Sequence, residues 1–251
     1  MKPGIDLRVA DEVATITINR PEKGNALRIS DLSVLRDHLG ELAEQPIRAL
    51  VLTGTGDRAF SAGMDLTEVA DPGQWTENPL TMFVQALASF PRPTIARLNG
   101  AVIGGSVEIA MNCDFRIGVT STKVMVPAAK IGIHYEHGGL ARCLAELGAH
   151  ATRRIYLLAE TLRAEELQAC GFLNKVTEPS YLDHAVSRLT DQIRSLAPLA
   201  VNGMKQSIRE LQQGEAAEAA EDRIRAAWAS SDLKEGLAAA AEKRPPRFKS
   251  E

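Results

Sequence analysis

A chain of 251 residues, 45% of them hydrophobic, is long enough to bury a large core, and its length favours one large domain or one domain with an appendage. A formal charge of −3 and a pI near 6 argue against nucleic-acid binding by general electrostatics. The three cysteines (Cys113, Cys143, Cys170) contain no Cys-x-x-Cys pair and cannot all pair with one another, which argues against a disulfide scaffold or a zinc site and suits a reducing cytoplasm.

Charges at Lys2, Asp6, Arg8, Asp11 and Glu12 leave no room for a secretory apolar region, and no uncharged apolar run is long enough to span a membrane. The expected location is the cytoplasm, with neither a membrane nor a nucleic acid as partner. An alternating run at 13–19 follows a first run at 5–10 across Asp11-Glu12, which predicts a β-hairpin ended by Arg20-Pro21. Ser30 is the predicted N-cap of a helix that presents Leu32, Leu35, Leu39 and Leu42 on one face and stops before Pro46. The run at 48–53 reads as a strand delivered into a turn at 54–58, and 60–66 leads into a short helical run. The irregular segment at 71–79 has the length of a functional loop.

A helix over 80–90 precedes Pro91, Pro93 and an apolar strand at 94–98, which Asn99-Gly100 ends. After Gly104-Gly105 the pattern turns helical, with Val107, Ala110 and Met111 on one face. Strands are expected at 113–119, 123–126 and 172–176, and helices at 138–147, 150–159 and 164–169. From 182 onward the pattern is helical. Leu182, Val186, Leu189, Ile193 and Leu196 share a face, and Pro198 marks a break. A helix over 210–229, rich in Ala and Glu, buries so little by itself that it needs another subunit or domain to pack on. Strand–turn–helix units recur at 48–70 and 94–112, so the chain reads as α/β with a helical C-terminal piece.

Gly54-x-Gly56-x-x-Ala59 matches the dinucleotide fingerprint on paper. No helix opens at its end, however, and no second strand ending in an acidic residue follows. Ser106 is not in a nucleophile elbow, because Glu108 stands where the last glycine belongs. The Gly104-Gly105 junction opens a helix and so leaves backbone N–H groups unpaired, a donor nest for an oxyanion. Glu108, about one turn later, is a carboxylate placed to move a proton; without chemistry it is a carboxylate stabilised by the helix dipole. His134 and His137 read as solvated loop histidines rather than metal ligands, and spacing alone makes Glu136 a surface residue.

Several linked motifs change the weight of these residues. They are Asn19-Arg-Pro21 with Asn25-Ala-Leu27, Phe60-Ser-Ala-Gly-Met-Asp-Leu66, Arg92-Pro-Thr-Ile-Ala96 and Asn99-Gly100. Gly104-Gly-Ser-Val-Glu-Ile-Ala-Met-Asn-Cys-Asp114, Gly138-Gly139 and Glu242-Lys-Arg-x-Pro-x-Phe248 complete the set. In this order they make the chain resemble the crotonase (enoyl-CoA hydratase/isomerase) superfamily nearly end to end.

The resemblance implies an α/β, crotonase-like spiral of ββα units with a helical C-terminal trimerisation region. Residues 1–195 would form the core with the acyl-CoA site, and 196–251 the helical oligomerisation region of a homotrimer or homohexamer. The implied substrate is an acyl-CoA thioester, with no separate cofactor because coenzyme A is part of the substrate. The implied oxyanion hole is the pair of N–H groups on Met64 and Gly105. Glu108 matches the first hydratase glutamate, whereas Ala128 stands at the position of the second. Glu136 resembles the acidic residue of some isomerases and of the dehalogenase branch, with Tyr135 and His134 as further candidates in the same loop. The resemblance places coenzyme A along Lys23, Ala26, Ala62, Asp65 and Gly104, with Lys243, Arg244 and Lys249 reaching its phosphates from a neighbouring subunit. Because alanine neither activates water nor delivers a proton, double-bond migration is expected ahead of hydration. Hydration, decarboxylation, hydrolysis and dehalogenation stay open, as does a non-catalytic acyl-CoA-binding scaffold. Trp75, Met82, Phe83 and Phe90 are the expected lining of an apolar acyl pocket.

Overall fold

The N-terminal alternation forms the expected hairpin: β1 (Ile5–Ala10) pairs antiparallel with β2 (Val13–Ile18). Asp11 and Glu12 turn it with φ of 50° and 61°, the backbone that a two-residue hairpin requires at both positions. These features come from a computed structural model, which describes residues 4–69, 77–214 and 220–249.

Helix α1 (Ile29–Ala43) buries Leu32, Leu35, Leu39 and Leu42 as expected, but Arg28 rather than Ser30 caps it. The Asp31 carboxylate accepts the Arg28 N–H at 3.0 Å and pairs with the Arg28 guanidinium at 2.7 Å. Asp31 thus closes the helix start from its third position, and Ser30 falls inside the first turn.

The next stretches share one logic. Strand β3 (Ala49–Gly54) is followed by the short β4 (Ala59–Ser61), then α2 (Leu66–Val69) and α3 (Pro79–Ala88). Strand β5 (Thr94–Leu98) is followed by β6 (Ala101–Ile103) and α4 (Ser106–Met111). Strand β7 (Phe115–Val119) is followed by β8 (Lys123–Met125) and α5 (His137–Leu157). Strand β9 (Leu162–Arg163), α6 (Ala164–Ala169) and β10 (Lys175–Thr177) complete this part. The first strand of each unit joins a six-stranded sheet of order β1-β2-β3-β5-β7-β10. The second joins a smaller sheet of order β4-β6-β8-β9. Each unit is therefore strand–strand–helix, which corrects the strand–turn–helix expectation: β4, β6 and β9 are too short to show a period. The segment at 172–176 is also mostly loop, since β10 begins only at Lys175.

Successive units stack because β3, β5 and β7 pair in parallel and are buried on both faces. Leu50 and Leu52 face the main core between the sheets. Ala49 and Val51 face α7 (Leu182–Arg194) through Val186 and Ile193. Leu196 lies beyond α7 and is exposed, so it does not share that buried face. Helix α5 carries a break at Gly148 (φ 74°), which matches the two helices expected there.

Pro198 opens α8 (Pro198–Gln213), and Gly214 ends it in the left-handed region. The single helix expected over 210–229 is thereby interrupted, and α9 (Ala220–Ala229) and α10 (Ser231–Glu242) follow. Lys205 ties α8 to the core by donating to Arg92 O and to the Asp114 carboxylate, both at 2.7 Å. Among the described residues no helix is long and apolar enough to cross a membrane. Most of the 71–79 loop and Trp75 lie outside the described residues.

Candidate active site

Two glycine turns, one after each short strand β4 and β6, meet at the edge of the small sheet. Gly63 (φ 86°) and Gly104 (φ 59°) both occupy the left-handed region. The turns approach so closely that a Cβ on Gly63 would lie 2.6 Å from Ile103 O and 2.9 Å from Gly105 N. Two buried hydroxyls fix them. Ser61 Oγ donates to Asn25 O at 2.7 Å and accepts the Gly63 N–H at 3.1 Å. Ser106 Oγ accepts the Ile103 N–H at 2.9 Å and lies 2.8 Å from both Ser61 O and Ile103 O, between which its one proton is shared.

Asn25 and Asn99 brace the same region from below. Asn25 Nδ2 donates to Thr55 O and Ala59 O, and Asn99 Nδ2 donates to Gly56 O and Ala59 O. The Thr55, Gly56 and Ala59 carbonyls of this loop thus accept from side chains.

This bracing leaves two donors unspent. Leu27 donates to Gly63 O and accepts from the Asp65 N–H, both at 2.8 Å, as in a parallel bridge with Met64. That pairing turns the Met64 N–H to the opposite side. Among the described residues, neither the Met64 N–H nor the Gly105 N–H donates to any group. Both residues line a cavity of about 180 Å³ whose other walls include Ala62, Leu66, Leu80, Ile131 and Ile133. Two backbone donors facing an apolar cavity are the arrangement that stabilises an oxyanion.

Glu108 enters the same cavity from α4. It is 7% exposed, and its carboxylate has no hydrogen-bond partner among the described residues. Burial pushes its carboxyl up to about 7; the charge of Glu136 pushes the same way and Arg142 opposes. Gly139, in the first turn of α5, makes room for it, since a Cβ there would lie 1.6 Å from Glu108 Oε1. A carboxyl that titrates near neutrality is suited to take up and return a proton.

Glu136 lines the cavity too, held at its more exposed edge by Asn78 Nδ2 (2.8 Å) and Thr81 Oγ1 (2.7 Å). Tyr135 also lines it, edge-on to Tyr156 with ring centroids 4.9 Å apart. Both phenol oxygens are buried without a partner, and burial holds both hydroxyls protonated well above their ordinary range. His134 is exposed on the same loop, with Nδ1 2.7 Å from Tyr135 O. Ala128 contributes only a methyl group to the wall.

The structure therefore gathers Ala62, Met64, Gly104, Gly105, Glu108 and Glu136 around one cavity. Lys23, Ala26, Asp65, Lys243 and Lys249 do not line it. Lys23 is exposed beside Gly24, whose carbonyl accepts the Ala62 N–H, and Ala26 is buried. Asp65 pairs with Arg20 at 3.1 Å and accepts from Thr67. Lys243 caps α10, Arg244 pairs with Glu235 and Glu242, and the Lys249 N–H donates to Asp232. Of the expected apolar lining, Met82, Phe83 and Phe90 are corrected, and Trp75 lies outside the described residues. Phe83 and Phe90 belong to the main core, and Met82 lies beside Arg36, while Leu66, Leu80, Ile131 and Ile133 line the cavity instead. The positioning roles of Ser61, Ser106, Asn78, Thr81 and Gly139 escaped the sequence; Gly138-Gly139 at the start of a helical pattern was the one visible signal.

Residues 8–251 match a family model described as enoyl-CoA hydratase/isomerase. The chain is 33% identical over 202 residues to a short-chain-enoyl-CoA hydratase of Clostridium acetobutylicum, covering 78% of this chain and 77% of that one. It is 30% identical over 252 residues to a crotonyl-CoA hydratase of Syntrophomonas wolfei, covering 97% of each. Its fold superposes on the crystal structure of an enoyl-CoA hydratase/carnithine racemase from Magnetospirillum magneticum with a TM-score of 0.90 at 29% identity, over 99% of this chain and 96% of that one.

Proposed function

The chain belongs to the enoyl-CoA hydratase/isomerase family, and from that premise we propose that it moves a double bond within an enoyl-CoA thioester, with Glu108 as the principal proton carrier. The observation that carries this reading is that Glu108 and Glu136 face one cavity beside two unspent N–H groups, whereas position 128 offers only a methyl. The thioester oxygen of a 3-enoyl-CoA would lie between the Met64 and Gly105 N–H groups. The Glu108 carboxylate then takes the proton from the carbon between the carbonyl and the double bond. The electron pair of that C–H bond passes to the oxygen, giving a dienolate, and each donor contributes about 10²–10³ in rate. Return of a proton to the far carbon, by Glu108 or by Glu136, completes the migration. Coenzyme A would run along Lys23, Ala26, Ala62, Asp65 and Gly104, and no other cofactor is required.

Hydration is the second reading, favoured by the names of the Clostridium and Syntrophomonas relatives. It needs one carboxylate to activate water while another delivers the proton, and Glu136 would have to serve as that second group. Paired assays on 3-enoyl-CoA and 2-enoyl-CoA of equal chain length separate the two, migration being expected to be the faster. Faster hydration by the unaltered protein would overturn the migration reading. Ala128→Glu is expected to raise hydration relative to migration about tenfold or more, since it adds a second acid–base group to the cavity wall.

The segment 196–251 is read as the oligomerisation region of a homotrimer or homohexamer. Met204, Ile208, Leu211, Ile224, Trp228 and Leu237 on α8 to α10 are exposed in the single chain, Trp228 at 74%. Apolar surface on this scale is the mark of an interface. Sedimentation equilibrium is expected to give the mass of three or six chains, and a monomer at working concentration would refute the assignment.

A further inference from the structure

A second chamber lies behind Glu108. It measures about 450 Å³ and is walled by α3, α4, α5 and α8. Thr81, Glu108 and Glu136 belong to the walls of both cavities, so the two spaces adjoin at these residues. The two spaces differ in character. The front cavity is lined by Leu66, Leu80, Ile131 and Ile133. The rear one presents Gln85, Ser89, Asn112, Gln213, Arg142 and Arg209 beside the shared Glu108 and Glu136, with Val84 and Ala88 as apolar members.

We propose that this chamber receives the far end of the acyl group, and that this end carries a carboxylate bound by Arg142 and Arg209. The inference rests on the acyl-CoA reading, and it narrows the substrate class to monothioesters of dicarboxylic acids. Position supports it first. An acyl chain whose thioester oxygen sat at Met64 and Gly105 would have Glu108 beside it, and the chamber adjoins the front cavity at Glu108.

Composition supports it next. A hydrocarbon tail would strip water from the Arg142 guanidinium and offer it no acceptor in return. A carboxylate supplies acceptors whose geometry matches the guanidinium fork. Arg142 has capacity for such a partner: its ion pair with Glu146 is long, Nη1 to Oε1 3.8 Å, and Glu146 is held more closely by Arg116 at 3.0 Å. Arg209 donates to Gln213 at 3.1 Å and lies 3.5 Å from Ser89 Oγ, which fixes it at the chamber's rim. Glu108 and Glu136 also line the chamber, on the side it shares with the front cavity, and Arg142 and Arg209 bring guanidinium charges to it from α5 and α8.

Calorimetric binding of saturated thioesters to the full-length protein tests this without relying on turnover. Glutaryl-CoA and adipyl-CoA are compared with valeryl-CoA and hexanoyl-CoA, their equals in chain length. The dicarboxylic thioesters are expected to bind about tenfold tighter or more, the scale of one charge-assisted contact pair. Arg142→Leu and Arg209→Leu are each expected to bring that ratio towards unity. Arg142→Lys, which retains the charge without the fork, should give an intermediate ratio and serves if Arg142→Leu does not fold. Equal or tighter binding of the monocarboxylic thioesters overturns the inference while leaving the acyl-CoA reading in place. A preference that persists in both Leu variants overturns the assignment to these arginines. Failure of all four thioesters to bind would overturn the acyl-CoA reading itself, and this inference with it.

Discussion

Glu108→Gln is expected to lower double-bond migration by about 10²–10⁴-fold while raising the stability of the fold above neutral pH. The two effects have one cause. The carboxylate is buried, with no hydrogen-bond partner among the described residues, and burial pushes its titration up to about 7 from an ordinary value of 4.5. A carboxyl raised in the folded state binds its proton more tightly there than in the unfolded chain. Its contribution to stability is therefore complete below about 4.5 and is lost as pH rises towards 7. Above that range the buried charge costs on the order of 3 kcal/mol, with Glu136 increasing the cost and Arg142 reducing it. Glutamine removes the charge and so removes the cost, but it cannot accept the substrate proton.

Two measurements check this account. Thermal melts of the Gln variant and the unaltered protein should diverge above pH 7 and converge near pH 4.5. Turnover by the unaltered protein should rise through pH 7, because only the ionised Glu108 takes a proton, and that rise should be absent from the variant's residual activity. Melting curves that stay parallel across the whole range would mean that Glu108 does not titrate as its burial demands. The groups facing it are Glu136, Arg142, Tyr135 and Tyr156; both tyrosines stay neutral throughout this range.

Much of this architecture was legible wherever a period ran for several residues. The alternation of Ala14, Ile16 and Ile18 gave the buried face of β2, and the spacing of Leu32, Leu35, Leu39 and Leu42 gave that of α1. The short strands β4 and β6 escaped because three residues between turns carry no period; their partners are supplied by other units of the stack. The lining of the front cavity differs from expectation for a related reason. Phe83 and Phe90 are large and apolar, which requires burial somewhere, but only tertiary packing decides between the main core and a cavity wall. The N-cap falls to Arg28 rather than Ser30 because Asp31 accepts the Arg28 N–H from the third helical position, a competition between neighbouring polar side chains that propensity alone does not resolve. The rear chamber was beyond reach altogether. Gln85, Asn112, Arg142 and Arg209 come from four helices, and no spacing rule links them.

Gly63→Ala is expected to damage both the fold and the donor pair, and its contrast with Gly56→Ala isolates the reason. Both glycines have left-handed backbone, φ 86° and 83°, so alanine is strained at either by about 1–2 kcal/mol. A Cβ at Gly56 meets nothing within 4 Å. At Gly63 the same atom lies 2.6 Å from Ile103 O and 2.9 Å from Gly105 N, both backbone atoms with no flexible side chain to yield. The turn cannot rotate away freely, because its N–H is held by Ser61 Oγ and its carbonyl by the Leu27 N–H. Relief must come from spreading the two turns, which moves the Met64 and Gly105 N–H groups apart. Losing one correctly placed donor costs about 10²–10³ in kcat. Gly56→Ala should therefore lose only the strain energy in urea denaturation and retain turnover within about threefold. Gly63→Ala should lose more stability than that, together with most of its kcat. If the two variants lose stability and turnover to the same extent, backbone strain alone explains both, and the contact between the turns is not what holds the donors in place.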